Sequence, residues 1–308
     1  MKKEIVAAID GSLYSDHALA YITALFAKDE TFHIHLSSWI TVSASVMPSI
    51  ADDNNSLIPS GDQNKKEVAA KRYLKKAKEK LLKSGIAEER IQTSVVSSGY
   101  NVAATIQQHV TEKLPDSLII GRRGFRGITR MLMGSVSAEI FRRCHSTPLW
   151  IIDGKIKHKD FFVPVDGTLT SLLAVDHLSH ILSNRNDIRI CLFHHTSLFD
   201  KKPVCDPEQF SKYWDRKWCQ EHLTGDKCLF EGPKQILLEA GIPEDKIVIL
   251  PLRTGLEKAH GIIREARKQK CGTIVMGRRS AGMAKGLFGG VSDRTIEHVE
   301  NLALWVIG

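Results

Sequence analysis

The chain repeats itself, and the length of the repeat limits what it can fold into. Residues 4–11 read EIVAAIDG and residues 160–167 read DFFVPVDG, each a short apolar run that ends in Asp-Gly. Residues 116–124 (DSLIIGRRG) are echoed by 272–280 (GTIVMGRRS), and 148–153 (PLWIID) by 303–308 (ALWVIG). The three matches come in the same order, with the second set about 156 residues after the first. Solenoid repeats run to roughly 20–50 residues, so this period is a whole domain and the chain is a duplication. Its 308 residues divide into two halves, each large enough for its own core. The expected domains are 1–154 and 155–308, joined by the short polar junction Asp153–Lys159.

Within each half, apolar runs alternate with amphipathic stretches. The first half predicts strands at 5–9, 32–40, 91–97, 117–121 and 148–152. Helices are expected near 15–27 (Ala18, Ile22, Leu25 and Phe26 on one face), 65–84, 101–113 and 135–144, with a polar loop at 51–64. The lysine-rich 65–84 helix is expected to bury Val68, Leu74, Ala77 and Leu81 and to solvate its lysines. The second half predicts strands near 161–165, 188–194, 246–251, 272–276 and 303–307. Apolar strands separated by helices imply an α/β fold, a mostly parallel sheet with helices on both faces.

Chemistry concentrates after the fourth strand. Leu118–Ile120 form a buried run that Gly121 ends. Gly121 and Gly124 lack a Cβ, so backbone there can approach a phosphate closely. Gly134-Ser135 then opens the next helix, where free amides attract anions. Ser135 and Ser137 add hydroxyls, and Arg122, Arg123, Arg126 and Arg130 flank the loop, with Arg123 or Arg126 the better-placed contact. Ligands of open α/β sheets sit at the carboxyl ends of strands, so Asp10 at the end of strand one shares this edge and can reach a ribose, a base or Mg²⁺.

The spacing Gly121-x2-Gly124-x9-Gly134-Ser135, with Asp10 and Asp116, resembles the universal stress protein family in its tandem two-domain form. The resemblance covers nearly the whole chain. It implies two Rossmann-like domains of the adenine nucleotide α-hydrolase type, each a five-stranded sheet of order 3-2-1-4-5. It also implies a pseudo-two-fold pairing through strand five that sets Leu149–Ile152 beside Leu304–Ile307, with a further homodimer as an open alternative. The nucleotide implied is ATP, with Asp10 and Trp39 near the adenosine. Ile120, Gly121, Gly124, Gly134, Ser135, Val136 and Ser137 would then surround the ribose and phosphates.

Copy two departs from this pattern. Asp166 and Gly277 remain, but Ser280 replaces the second glycine, Gly289 comes one residue early and Gly290 stands in place of a hydroxyl residue, while Ser292 matches Ser137. A degenerate second site is expected, binding nucleotide weakly, not at all, or holding a different ligand. Residues 196–231 form a longer insertion in which Phe210, Trp214 and Trp218 recur at helical spacing, read as one aromatic face. Cys205, Cys219, His222 and Cys228 in the same segment offer an alternative zinc set, although their spacing fits no standard finger. His194 and His195, ending the second strand, read as structural histidines.

Bulk properties narrow the partners. The net charge of +8 splits evenly: residues 1–154 hold 20 basic and 16 acidic residues, and residues 155–308 hold 23 and 19. No half is a basic arm, so nucleic acid is not the expected partner. No apolar run approaches the roughly 18 residues of a membrane span, and strand one is too short for a signal core. A cytoplasmic protein with six reduced cysteines is expected. No nucleophile elbow, HExxH or GxxxxGK[ST] occurs. The leading expectation is thus a nucleotide-sensing stress-response protein acting on an unidentified protein partner. A slow ATPase or phosphotransferase, and a carrier or scaffold using the insertion, are the alternatives.

Overall fold

The computed structural model describes residues 2–41, 61–99, 101–122, 133–196, 204–278 and 290–308. The described residues fall into two compact units that part between Cys144 and His145. The first unit contains β1 (Lys3–Ala8), α1 (Leu13–Phe26), β2 (Phe32–Thr41), α2 (Gly61–Lys83), β3 (Ile91–Ser98), α3 (Val102–Lys113), β4 (Ser117–Gly121) and α4 (Ser135–Arg143). Its strands are parallel in the order β3-β2-β1-β4. Central β1 is apolar on both faces because helices cover both, and Ile5, Val6 and Ala7 are buried.

Helix α1 buries Ala18, Ile22, Leu25 and Phe26, as their spacing predicts. Helix α2 starts at Gly61, earlier than expected, and the expected loop residues before it lie outside the described residues. It buries Ala70, Leu74, Ala77 and Leu81, but Val68 is 61% exposed. The i, i+4, i+7, i+11 stripe fixed by these four residues leaves position 68 off the buried face.

The second unit contains β5 (Leu149–Ile152), β6 (Phe161–Pro164), α5 (Leu169–Ile181), β7 (Ile190–Phe193), β8 (His195–Thr196), α6 (Arg216–His222), α7 (Lys227–Glu239), β9 (Ile247–Ile249), β10 (Arg253–Thr254), α8 (Lys258–Lys268), β11 (Thr273–Gly277), α9 (Val291–His298) and β12 (Ala303–Ile307). Five strands of the second copy follow the order 3-2-1-4-5, as β9-β7-β6-β11-β12. Beyond them, β5 pairs antiparallel with β12, with Trp150 opposite Trp305 and Leu149 opposite Val306. The two indoles stack at 3.7 Å and both strands are buried throughout. A separate two-stranded parallel sheet, β8 with β10, was not legible in the sequence.

The insertion differs from expectation in two ways. The aromatic stripe is not one helix face. Asp215 accepts from the amides of Lys217 and Trp218 and so starts α6 anew, leaving Phe210 and Trp214 ahead of it. Phe210 is buried, while Trp214 and Trp218 stack at 6.2 Å and Trp218 donates to Glu239. The expectation of six reduced thiols is also corrected, because Cys205 and Cys228 form a disulfide with Cα atoms 6.1 Å apart. An isolated bridge, with the Cys205 amide donating to the Gly225 carbonyl, carries Cys205 to the first turn of α7, where Cys228 sits. The zinc set does not assemble: two of its sulfurs are joined, and no group of three ligating side chains comes together among the described residues.

Unfolding the unreduced protein in the presence of an alkylating agent should label four cysteines, with six labelled after reduction. Cys205→Ser should cost about 3 kcal/mol, from the entropy of a closed loop this long, and lower the melting temperature. Six labels without reductant would exclude the bridge.

Candidate functional site

Each copy turns from its first strand into its first helix through the same corner. Gly11 and Gly167 both adopt φ +77°, a left-handed conformation that a side chain would strain. The Ser12 and Thr168 hydroxyls cap the following helices. Asp10 builds this corner with one oxygen: its Oδ1 accepts from the Ser12 amide at 3.0 Å and from the Ser15 hydroxyl at 2.5 Å. Its carboxylate is exposed, so Oδ2 remains open to a ligand. Asp166 Oδ1 likewise accepts two bonds, here from the amide and the hydroxyl of Thr168.

The fourth-strand corner lies against this turn. A Cβ on Gly121 would come within 2.7 Å of Tyr14 Cβ and 3.1 Å of its carbonyl carbon, in the first turn of α1. Gly277 meets Thr170 in the same way, overlapping its carbonyl. These two glycines therefore serve backbone packing in both copies. The Gly134 amide donates to the Arg122 carbonyl at 3.0 Å, which closes the neck of the loop. The Ser137 hydroxyl donates to the Gly121 carbonyl at 2.8 Å, so it ties α4 to β4. The Arg122 side chain is buried, as is Arg278 in copy two, so neither is a surface arm. Arg123, Gly124, Arg126, Arg130, Ser280 and Gly289 lie outside the described residues.

Gly134 is the N-cap of α4 and supplies no capping side chain. The amides of Ser135, Val136 and Ser137 have no acceptor among the described residues, and Ser135 and Val136 are exposed. Three unsatisfied donors at a helix start are a ready anion seat. In copy two the Asp293 carboxylate accepts from the Gly290 amide at 2.7 Å. The buried pairs Ser137/Ser292 and Ile140/Thr295 align Asp293 with Ala138, so copy two carries its own anion where copy one has none. Asp293 escaped the sequence reading. Its signal was a carboxylate three residues into a helix that opens with Gly-Gly.

The register places Trp39 next to Asp10, since Ala8 pairs with Ser37 and the Ile9 amide donates to the Ser37 carbonyl. Trp39 is half-buried, with Nε1 unbonded and its ring edge-on to His109 at 5.6 Å. His35 lies 5.8 Å from His109 in the same layer. Ile120 is buried within β4. Asp116 sits at the opposite end of the sheet, where it accepts from the Glu4 amide and fastens β4 to β1.

Comparison with known proteins agrees with this fold. The sequence model of the universal stress protein family matches residues 1–152 and again 158–301, so the chain belongs to that family. It is 29% identical over 144 residues to universal stress protein YxiE of Bacillus subtilis (strain 168), covering 46% of this chain and 92% of that one. A universal stress protein from Archaeoglobus fulgidus DSM 4304 superposes with a TM-score of 0.64 at 15% identity, over 99% of this chain and 95% of its own. The functionally unknown protein PA1789 from Pseudomonas aeruginosa PAO1 gives 0.54 at 12% identity, over 99% and 92%. At such identities the two structures establish the fold alone. No described helix is long and apolar enough to cross a membrane.

Gly121→Ala should lower stability by about 1–3 kcal/mol, because the added methyl meets backbone. Gly99→Ala, with open space around it, should be near neutral in the same urea titration. The histidine pair sets a pH dependence. Burial lowers the His35 pKa, helped by His109 and Lys113 and opposed by Glu4; burial then Lys113 lower that of His109, opposed by Glu112. The unfolded chain therefore takes up protons first as pH falls through the ordinary histidine range, and stability present above it is lost. The urea midpoint should be lower at pH 5.5 than at pH 7.5, with His35→Gln and His109→Gln together shrinking the difference.

Proposed function

We propose that this chain is an ATP-binding, nucleotide-sensing member of the universal stress protein family that holds its nucleotide in the first of two domains, 1–154 and 155–308. The observation that carries this reading is the start of α4, where the amides of Ser135, Val136 and Ser137 have no acceptor among the described residues. Phosphate oxygens would satisfy them, and the helix dipole favours the negative charge. Gly124 would let the phosphates approach backbone, and Arg123 would add a guanidinium. Across the sheet edge, the open Oδ2 of Asp10 would accept from the ribose or hold Mg²⁺, with Trp39 beside the adenosine. Of the residues the family pattern places around the ligand, Gly121 and Ile120 shape the site from within the strand, and Gly134 and Ser137 hold α4 in place.

Copy two is the degenerate partner. Asp166, Gly277 and Ser292 keep its frame, but Asp293 sets a carboxylate at the helix start and would repel a phosphate. ATP occupancy can act on a protein partner only through differential affinity for two states of the chain. The proposed setting is the cytoplasm, with nucleotide as the first partner and neither membrane nor nucleic acid as a target.

Calorimetry should find one tight ATP per chain. Gly124→Asp should abolish that binding while leaving the circular dichroism spectrum unchanged, and ADP production by the parent should not exceed that of this variant. Two sites of equal affinity, or unaltered binding by Gly124→Asp, would overturn the proposal.

A further inference from the structure

Copy two carries a groove between α8 and α9 that contains none of the phosphate-loop positions. Its volume is about 710 Å³, within the range of small-molecule sites. His260, Arg264 and Arg267 fall at i, i+4 and i+7 on α8 and line one wall, and His298 faces them from α9. The His260 and His298 rings lie 4.4 Å apart, tilted by 36°. Ile263 adds an apolar surface.

The floor is the imidazole of His195, which is only 8% exposed. It rests against two glycines: a Cβ at Gly255 would stand 3.3 Å from the ring, and one at Gly261 would overlap it. Glycine inside a helix costs about 1 kcal/mol relative to alanine, so Gly261 gives up helix stability to seat this ring. Copy one has Ala104, Thr105, Gln108 and Thr111 where copy two has His260, Gly261, Arg264 and Arg267, so the cationic lining belongs to copy two alone.

The charges favour an anion. Glu257 is engaged by Arg294 at 3.5 Å and His260 at 3.3 Å. Arg267 gives one N–H to the Glu300 carbonyl at 3.3 Å and keeps its other donors, while Arg264 has no carboxylate partner among the described residues. With Glu257 engaged by Arg294 from outside the groove, the lining sets Arg264 and Arg267 against the carboxylate of Glu300. Guanidinium forks match phosphate oxygens, and paired imidazoles beside Ile263 offer flat surfaces to a ring.

We propose that this groove is a second ligand site for a small phosphate monoester with a flat apolar body, gripped by Arg264 and Arg267 and flanked by the His260–His298 pair. Arg267, in the last turn of α8, also offsets the helix dipole without any ligand, and titration separates the two roles.

The test is calorimetry of the full chain with phenyl phosphate and with inorganic phosphate. One phenyl phosphate per chain is expected, bound more tightly than inorganic phosphate. Its binding should persist in Gly124→Asp and weaken about tenfold or more in the Arg264→Gln/Arg267→Gln double variant, which alters exposed side chains only. Four results would overturn the proposal: no phenyl phosphate binding at millimolar concentration, equal binding of inorganic phosphate, loss of binding in Gly124→Asp, or indifference to the arginine pair. The Gly124→Asp arm keeps this outcome separate from that of the ATP site.

Discussion

The close seating of the fourth strand on the first turn of the first helix governs the rest of each copy. A parallel sheet delivers several strand ends to one edge, but how those ends meet depends on what lies between them. Here nothing does: Gly121 presses on Tyr14 and Gly277 on Thr170. That contact needs the first helix to begin at a fixed place, which the left-handed glycines and the Ser12 and Thr168 caps provide. From Gly121 and Arg122 two hydrogen bonds reach Ser137 and Gly134, so the start of α4 is held by the same seat. An anion site made of backbone amides requires such fixing, since the amides act by position alone.

Because both copies share this frame, their chemistry diverges through very few atoms. In copy one the helix start has three amides without an acceptor, and no carboxylate beside them, among the described residues. In copy two Asp293 accepts from the Gly290 amide and sets a carboxylate at the equivalent start. A carboxylate held there by the helix also repels an anionic ligand, so stability and ligand capacity compete at this point. The groove between α8 and α9 shows the other side of the duplication. Residues that are small or uncharged in copy one became histidine, glycine and arginine in copy two, and built a concave surface elsewhere.

The last strands of the two copies solve a different problem. An edge strand offers unpaired backbone groups to any other chain. β5 and β12 pair with each other instead, and burial of Trp150 against Trp305 adds apolar area to their backbone hydrogen bonds. This is why Leu149–Ile152, first-copy residues by sequence, group with the compact second unit.

The sequence by itself determined the duplication, the alternation of strands and helices, nearly every strand position and the asymmetry between the glycine patterns that follow the fourth strands. Those features rest on local rules: apolar runs for buried strands, Asp-Gly for the tight corner, Gly-Ser for a helix start. Only the tertiary structure decided what each marked residue touches. Gly121 proved to be a packing glycine, Ser137 a tether, Arg122 a buried side chain and Val68 an exposed one. The aromatic spacing of the insertion suggested a helix that Asp215 divides, and Cys205 met Cys228 through a bridge formed 20 residues along the chain, between Cys205 and Gly225. Spacing in sequence reports direction along one element, whereas these outcomes depend on neighbours brought in from distant parts of the chain.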